Sequence, residues 1–483
     1  MSLKTLQKGY KRIKALPERA FTLSSLRRVL DGTMYDGLKS PFHEEKNGAG
    51  EYVPLRDRIP SVRFPVCRIL VEDAVSLLFS SDHFPQIHSE DEATREALGL
   101  LASELSLQET MIEAATRGSV GSVAIFFKVI EGRAHLSVEN TEYLTPEWSK
   151  TAPDRLAAVR ELRIVKGLDL RADGWDIPEE DLMAPHWFKR EWTDVAERWF
   201  APWKVGVEKL PILSEEIRHN LGFVPVAWIR NLPGGVAPDG APTFTPEMVD
   251  TQIEMEYLLS QAGRGLKYAM DPLLMIKEPL ADDTGTMVRS ASNAIQVSGG
   301  GDVKLVEIDG ASTNAVIDYV RFLRELVLEA GHGNRASAEK LSAAQSGRAM
   351  ELMNQALIWL ADRLRITYGQ NGLLSVLRMI ALASKKIPLV SRDGKKLGEL
   401  DPSKISLRWP AWYAPTYRDG VALANALKTN TDSGHLSRET ALRTLAPVYD
   451  IDDIGAELSR IESEEKKRLE LLPAPKTTVT LNE

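Results

Sequence analysis

Apolar residues at Met248, Met255, Leu259, Ala262, Leu266 and Ala269 recur at steps of three, four or seven, which is one face of an α-helix. Thr245 is placed to cap its start, with Pro246 at the first helical position and Glu247 in the first turn. Asp271-Pro272 stops the pattern, because proline removes a backbone donor and restricts the residue before it. After an insert over 271–310 the pattern resumes at Val316, Val320, Leu323, Val327 and Ala330, then ends at Gly331-His332-Gly333. The two patterns predict apposed helices over 246–270 and 311–330, a stalk carrying a small module at its far end. Within the module, 273–277, 294–297 and 303–308 read as short strands, with the glycine run 298–302 as a turn between the last two.

On either side the periodicity changes. Val66, Ile69, Leu70, Ala74, Leu77 and Leu78 predict a helix over 65–79, and 90–117 reads as one further helical stretch closed by Gly118 and Gly121. Strands are expected at 123–130, 135–138, 162–165, 187–192 and 224–229, with Trp199 and Trp203 in an irregular stretch. Residues 60–240 therefore read as one mixed α+β domain, and the Pro- and Gly-rich 233–242 as its exit linker. From Ala336 a long helical pattern runs through Leu341, Ala344, Met353, Ala356, Leu360 and Leu364, then on to Leu374, Leu377 and Ala381. Gly369 and Gly372 mark a kink or break in it. Strand and turn follow over 385–412, with Arg392-Asp393-Gly394 as a hairpin turn. Helices over 420–428, 437–445 and 452–472 precede a tail expected to be disordered.

At 483 residues the chain exceeds one ordinary core, so several domains are expected. A net charge of −8 argues against a wide grip on DNA, whose affinity comes mainly from Lys and Arg neutralising phosphates. The basic start (Lys4, Lys8, Lys11, Arg12, Lys14) is read as a solvated tail or the face of a short helix, with a nucleic-acid or partner contact as the alternative. It lacks the apolar core of a leader peptide, and no apolar run approaches the roughly 18 residues of a membrane span. Cys67 is the single cysteine, which excludes an intrachain disulfide and fits a buried thiol in a reducing compartment.

Catalytic chemistry finds little support. No G-x-x-x-x-G-K-[ST], H-E-x-x-H or G-x-S-x-G is present. His83 and His88 flank Phe84-Pro85 as a loop rather than as metal ligands. The acidic runs 90–92 and 179–181 lack a partnered base and read as solvated surface. No catalytic residue, metal site or cofactor is expected, and the chain does not read as an enzyme.

The ordered segments resemble the portal proteins of tailed double-stranded DNA bacteriophages. The matching stretches are FPVCRILVEDAVSLLF over 64–79, the Gly-rich GSVGSVAIFFK over 118–128, and HNLGFVPVAWIRN over 219–231 before a Gly/Pro linker and a helix. SGRAMEL over 346–352, LRWP over 407–410 and TDSGHLSRETA over 431–441 complete the set. The chain departs from the family in the loop His332-Gly333-Asn334-Arg335-Ala336-Ser337, which lacks the more usual Ile/Val-Pro.

The resemblance implies an α+β, multi-domain, ring-forming portal fold around a central channel, typically a dodecamer at one capsid vertex. Double-stranded DNA is packaged through such a ring by the terminase motor, without sequence specificity, and later ejected. It implies a mixed α+β wing over 1–240, stem helices over 246–270 and 311–330, a small α/β clip over 271–310, and a tunnel loop over 331–340. A long wing helix over 341–384 and a mainly helical crown over 385–472 would follow. On that reading His332, Asn334, Arg335 and Lys340 stand nearest DNA, on a glycine-flanked loop. Arg264, Lys267, Arg321, Arg324 and Glu325 of the stem line the channel. Leu273, Met275, Val303 and Leu305 of the clip dock partners, namely terminase and then a head–tail adaptor. Major capsid and scaffolding proteins would be further partners, with no membrane, and the place of action would be the virion, after assembly in the host cytoplasm. An oligomeric adaptor or scaffold that threads no DNA stays open as an alternative, and behind it a nucleic-acid hydrolase.

Overall fold

Burial of two opposed apolar surfaces decides the first departure from the sequence pattern. In the computed structural model, which describes residues 2–10, 17–208, 210–270, 273–279, 297–306, 311–332, 352, 354–412, 417–446, 451 and 453–470, the stretch 90–117 is two helices. Short helices α1 (Leu3–Gly9) and α2 (Glu18–Leu30), strands β1 (Ser40–Pro41) and β2 (Arg58–Ile59), helix α3 (Val66–Phe79) and strand β3 (Gln86–Ser89) come first. Then α4 (Glu92–Glu104) and α5 (Leu107–Gly118) are separated at Ser106, whose φ of 47° is left-handed. A straight helix would place buried Leu98 and Leu101 about half a turn from buried Leu107 and Met111, so the chain breaks to bury both.

The chain is α+β, with several small sheets. Strand β4 (Ser122–Ile130) is the buried centre of a three-stranded antiparallel sheet with β5 (Arg133–Asn140) and the later β11. A five-stranded meander is built from β6 (Leu144–Trp148), β7 (Leu156–Lys166), β8 (Pro185–Thr193), β9 (Ala196–Lys204) and β10 (Leu213–Arg218), with helix α6 (Gly167–Ala172) between β7 and β8. Strand β11 (Val226–Arg230) then closes the smaller sheet. The stretch holding Trp199 and Trp203, expected to be irregular, is thus strand β9, carried by its pairing to β8 on one side and β10 on the other. Ala124, Phe126, Leu144, Val159, Trp192, Val226 and Trp228 from both sheets form one core cluster, with the Phe126 and Trp192 rings 4.6 Å apart.

The expected exit linker is a fixed loop. Arg19 donates to both Asp239 oxygens (Nε 2.6 Å, Nη2 2.8 Å), Ser122 Oγ donates to Asp239, and Gly240 N donates to Gly121 O at 2.9 Å. Its Pro/Gly composition excludes helix and strand but does not exclude packing.

Helices α7 (Pro246–Met270) and α8 (Ala311–Ala330) flank strands β12 (Leu273–Pro279) and β13 (Val297–Val306), which pair antiparallel. The glycine run at 298–302 is no turn. It lies inside β13, where the register slips between Lys277↔Asp302 and Pro279↔Val297, so a bulge absorbs the extra residues. Beyond, α9 (Gln355–Leu364), a π-helical segment (Arg365–Leu373) and α10 (Leu374–Ser384) form a continuous helical run. The expected kink is this π segment. A Cβ at Gly369 would lie 2.5 Å from Trp409 and one at Gly372 2.7 Å from Ile229, so both glycines serve close approach.

The chain divides into two units, 1–335 with 356–410, and 336–355 with 411–483. Residues 385–410, assigned to the crown by resemblance, belong to the first unit. Strand β14 (Ile405–Arg408) pairs with β3, Leu389 and Leu400 are buried, and Val390 N donates to Gly132 O. The Arg392-Asp393-Gly394 turn is present, with Gly394 at φ 81° and an isolated bridge between Val390 and Lys396. The second unit holds α11 (Tyr417–Asp432), α12 (Arg438–Leu445) and α13 (Ile454–Glu470), with Arg438 gripping Glu465 through both nitrogens at 2.6 and 2.9 Å.

Candidate functional site

Thr245 Oγ1 accepts from Met248 N at 3.4 Å and so caps α7, whose 25 residues extend about 37 Å at the α-helical rise. Helix α8 returns along it. At Gly331 a Cβ would crowd the end of the Leu70 side chain of α3 and lie 2.7 Å from Met248 Cε, so the glycine gives the end of α8 room to close onto the start of α7. His332 follows at φ 56°. Leu323, Val327 and Leu328 of α8 are buried, as are Met248, Val249, Ile253, Met255 and Tyr257 of α7. The result is an antiparallel helix pair rooted in the first unit, with β12 and β13 at its far end.

A buried polar spine, which the apolar periodicity did not reveal, fixes that root. Gln252, Glu256 and Ser260, spaced by four on α7, are each 1% exposed. Each accepts a backbone N–H from the segment entering α3: Gln252 from Cys67 at 3.1 Å, Glu256 from Phe64 at 3.0 Å, and Ser260 from Val62 at 3.0 Å. Tyr35 Oη donates to Glu256 Oε2 at 2.5 Å, and Gln252 Nε2 donates to Oε1 at 3.1 Å. Burial raises the Glu256 carboxyl above the usual range, against the lowering influence of Tyr35, Phe64, Gln252 and Arg63. The signal was there to find, since polar residues four apart on an otherwise apolar face mark a buried network. Cys67 is fully buried, and burial pushes its thiol up.

The candidate residues distribute unevenly. Of the loop set, His332 lies in the described structure, while Asn334, Arg335 and Lys340 fall outside the described residues. His332 lines a shallow groove of about 370 Å³ with Trp359, Leu360, Asp362 and Arg363, and Trp359 stands 58% exposed there. Of the stem set, Arg264 is held by Glu45 of its own chain and is half-buried. Lys267, Arg321, Arg324 and Glu325 are exposed, Arg321 within 3.4 Å of Asp318, and Arg324 acts electrostatically on Asp73 of α3. In the β12–β13 pair, Leu273 and Met275 stand opposite Val306 and Lys304, whereas Val303 and Leu305 stand opposite Ile276 and Leu274. The four docking candidates therefore form no cross-strand pairs with one another.

Elsewhere the polar clusters resolve into structure. His83 Nδ1 meets Ser80 Oγ at 2.7 Å, His88 Nε2 meets Arg408 at 3.1 Å, and Glu90 pairs with Lys404 at 2.6 Å. Among the described residues no group of three His, Cys, Asp or Glu is placed to hold a metal ion, and no helix is long and apolar enough to cross a membrane. Trp192 is core, and Trp199 packs with Phe188 and Trp175. Trp187 and Trp203 pack together on the other face of the five-stranded sheet, 6.5 Å between centroids.

Two of the stretches behind the family resemblance, 118–128 and 219–231, meet at one packing node. Tyr368 Oη donates to Asn231 Oδ1 at 3.0 Å, and Asn231 Nδ2 donates to Ala241 O and Thr243 Oγ1, both at 2.9 Å. Gly118 lies so close to Tyr368 Oη that a Cβ would overlap it. No protein-family model and no curated protein matches the sequence. Among solved structures the chain is similar to one titled "Neck of native GTA particle computed with C12 symmetry", at 12% identity and a TM-score of 0.40, over 92% of this chain and 98% of that one. A likeness this loose does not fix a family.

Proposed function

We propose that the chain is the subunit of a portal ring at one vertex of a phage-like capsid, through which double-stranded DNA is packaged and later ejected. The observation that carries this reading is the antiparallel helix pair rooted at Gly331 and the Gln252–Glu256–Ser260 spine, with a β-pair at its far end. Copies of such a pair, side by side, wall a channel, and their β12–β13 ends meet a packaging motor and then an adaptor. The surface of α8 farthest from its buried stripe carries Asp318, Arg321 and Glu325, charges of both signs. Mixed signs suit passage, because a continuous basic lining would hold DNA through many phosphates at once. The stem, clip and tunnel-loop assignments follow from this reading, with the crown confined to the helices after Ala411.

Electron microscopy of the purified full chain tests the proposal. Rings with an open centre wide enough for a duplex are expected. A chain that stays single-copy at every concentration, or assembles with a closed centre as a non-threading adaptor would, overturns it.

A further inference from the structure

Within a chain of net charge −8, residues 385–396 carry Lys385, Lys386, Arg392, Lys395 and Lys396 against Asp393 alone, a local net of +4. All five basic residues are exposed. The backbone beneath them is fixed as a hairpin: Leu397 N donates to Leu389 O at 2.8 Å, Ser391 N donates to Lys395 O at 2.9 Å, and Gly394 turns the chain at φ 81°. It is seated on the first unit by Val390 N donating to Gly132 O at 2.9 Å, the Arg392 backbone N–H donating to Glu104 Oε1 at 3.0 Å, and buried Leu389. Lys385 and Lys386 have a local role, because cations at the C-terminal end of α10 offset its dipole, and Lys385 also acts electrostatically on Asp401. Arg392, Lys395 and Lys396 have no such role. Among the described residues none of the three makes a side-chain ion pair, neither with Asp393 and Glu399 nearby in the chain nor with Glu104 and Glu131 across the packing contact.

We infer that this hairpin is a phosphate-backbone site for duplex DNA, distinct from the channel-lining residues. Successive residues of an extended segment face opposite ways, so Lys395 and Lys396 place charge on both sides of the hairpin, with Arg392 at its turn. Charge on two sides suits the paired phosphate rows that border a groove, whereas a planar anionic membrane meets one side only. Contacts of this kind position a protein on DNA and read no sequence. The grip is also narrow, which reconciles it with an acidic chain. Three phosphate contacts give a slope of log K against log salt of about −2.7, far from the steep dependence of a wide interface. The inference goes beyond the ring reading and does not need it, since one subunit carries the whole site and no stem, clip or tunnel-loop residue takes part.

Binding of a covalently closed circular duplex to the full chain is the test, because a closed circle cannot thread a preformed ring. Wild type should bind the circle at low salt. Lys395→Gln combined with Lys396→Gln should weaken binding by about tenfold or more and flatten the salt slope by about 2, since each lost phosphate contact removes about one. Lys466→Gln combined with Lys467→Gln removes the same charge from exposed positions on α13 and should change neither quantity. Both double variants should keep the far-ultraviolet spectrum, because the substituted side chains are exposed and backbone hydrogen bonds hold the hairpin. No binding of the circle, equal losses from the two double variants, or a preference for vesicles containing phosphatidylserine over the circle each overturns the inference. Open rings that ignore the circle remove this site and leave the ring reading standing. Single-copy protein that binds the circle through Lys395 and Lys396 does the reverse.

Discussion

Replacing Glu256 separates two contributions that the structure sets against each other. The carboxylate accepts from Tyr35 at 2.5 Å, Phe64 N at 3.0 Å and Gln252 at 3.1 Å, yet it is 1% exposed and its carboxyl is raised by burial. Glu256→Ala strands three buried donors. At about 1–3 kcal/mol for each unsatisfied group, discounted for water entering the vacated space, the loss is about 3–5 kcal/mol. That is a large share of the roughly 5–15 kcal/mol that holds a domain together. Glu256→Gln keeps an acceptor for Phe64 N and Gln252 while removing the buried charge, so it should cost little or stabilise at neutral pH. Because the folded carboxyl binds its proton more tightly than the unfolded one, wild-type stability should fall as pH rises from about 4.3 through the folded pKa, then level off. Tyr35, Tyr257 and Cys67 are all pushed up and stay neutral across that window. Asp73, also raised, contributes a parallel slope in both proteins, so the difference between wild type and Glu256→Gln isolates Glu256. Urea midpoints from pH 4.5 to about 8 measure it. Identical slopes for the two proteins would refute the buried-charge argument.

Gly118→Ala should push Tyr368 off Asn231 and cost about 2–4 kcal/mol by overpacking and a lost hydrogen bond, while Tyr368→Phe should cost about 1–2 kcal/mol. Thermal melts check both, and a Gly118→Ala protein as stable as wild type would show that the node relaxes freely. Across the outer face of the five-stranded sheet, Glu147, Arg160, Glu191, Arg198, Glu216 and Arg218 form one alternating row, joined at 2.6, 2.7, 3.7, 2.9 and 3.3 Å. The row is largely exposed, so Arg198→Ala should cost below about 1 kcal/mol. A loss above about 2 kcal/mol in the same melts would mean that the row acts as a cooperative network.

Periodicity made the helices legible where apolar spacing and burial coincide, as at Met248 and Met255. It failed where burial on two sides breaks a helix at Ser106, and where pairing to two neighbours makes a strand of the segment holding Trp199 and Trp203. The site was less legible than the fold, for a physical reason. Residues that carry the family resemblance, such as Gly118 and Asn231, are pinned by contacts that few other side chains could satisfy. Such residues report how the first unit packs. A surface that touches another copy or passing DNA needs only a stripe of suitable size and charge, which many sequences supply. The exposed ridge of α8 shows the consequence: Tyr319, Phe322 and Leu326 sit at helical spacing beside the buried stripe, and sequence alone merges the two into one broad apolar face. Only burial of one stripe by α7 and α3 separates them, and that burial is a property of the folded chain which the spacing of apolar residues does not carry.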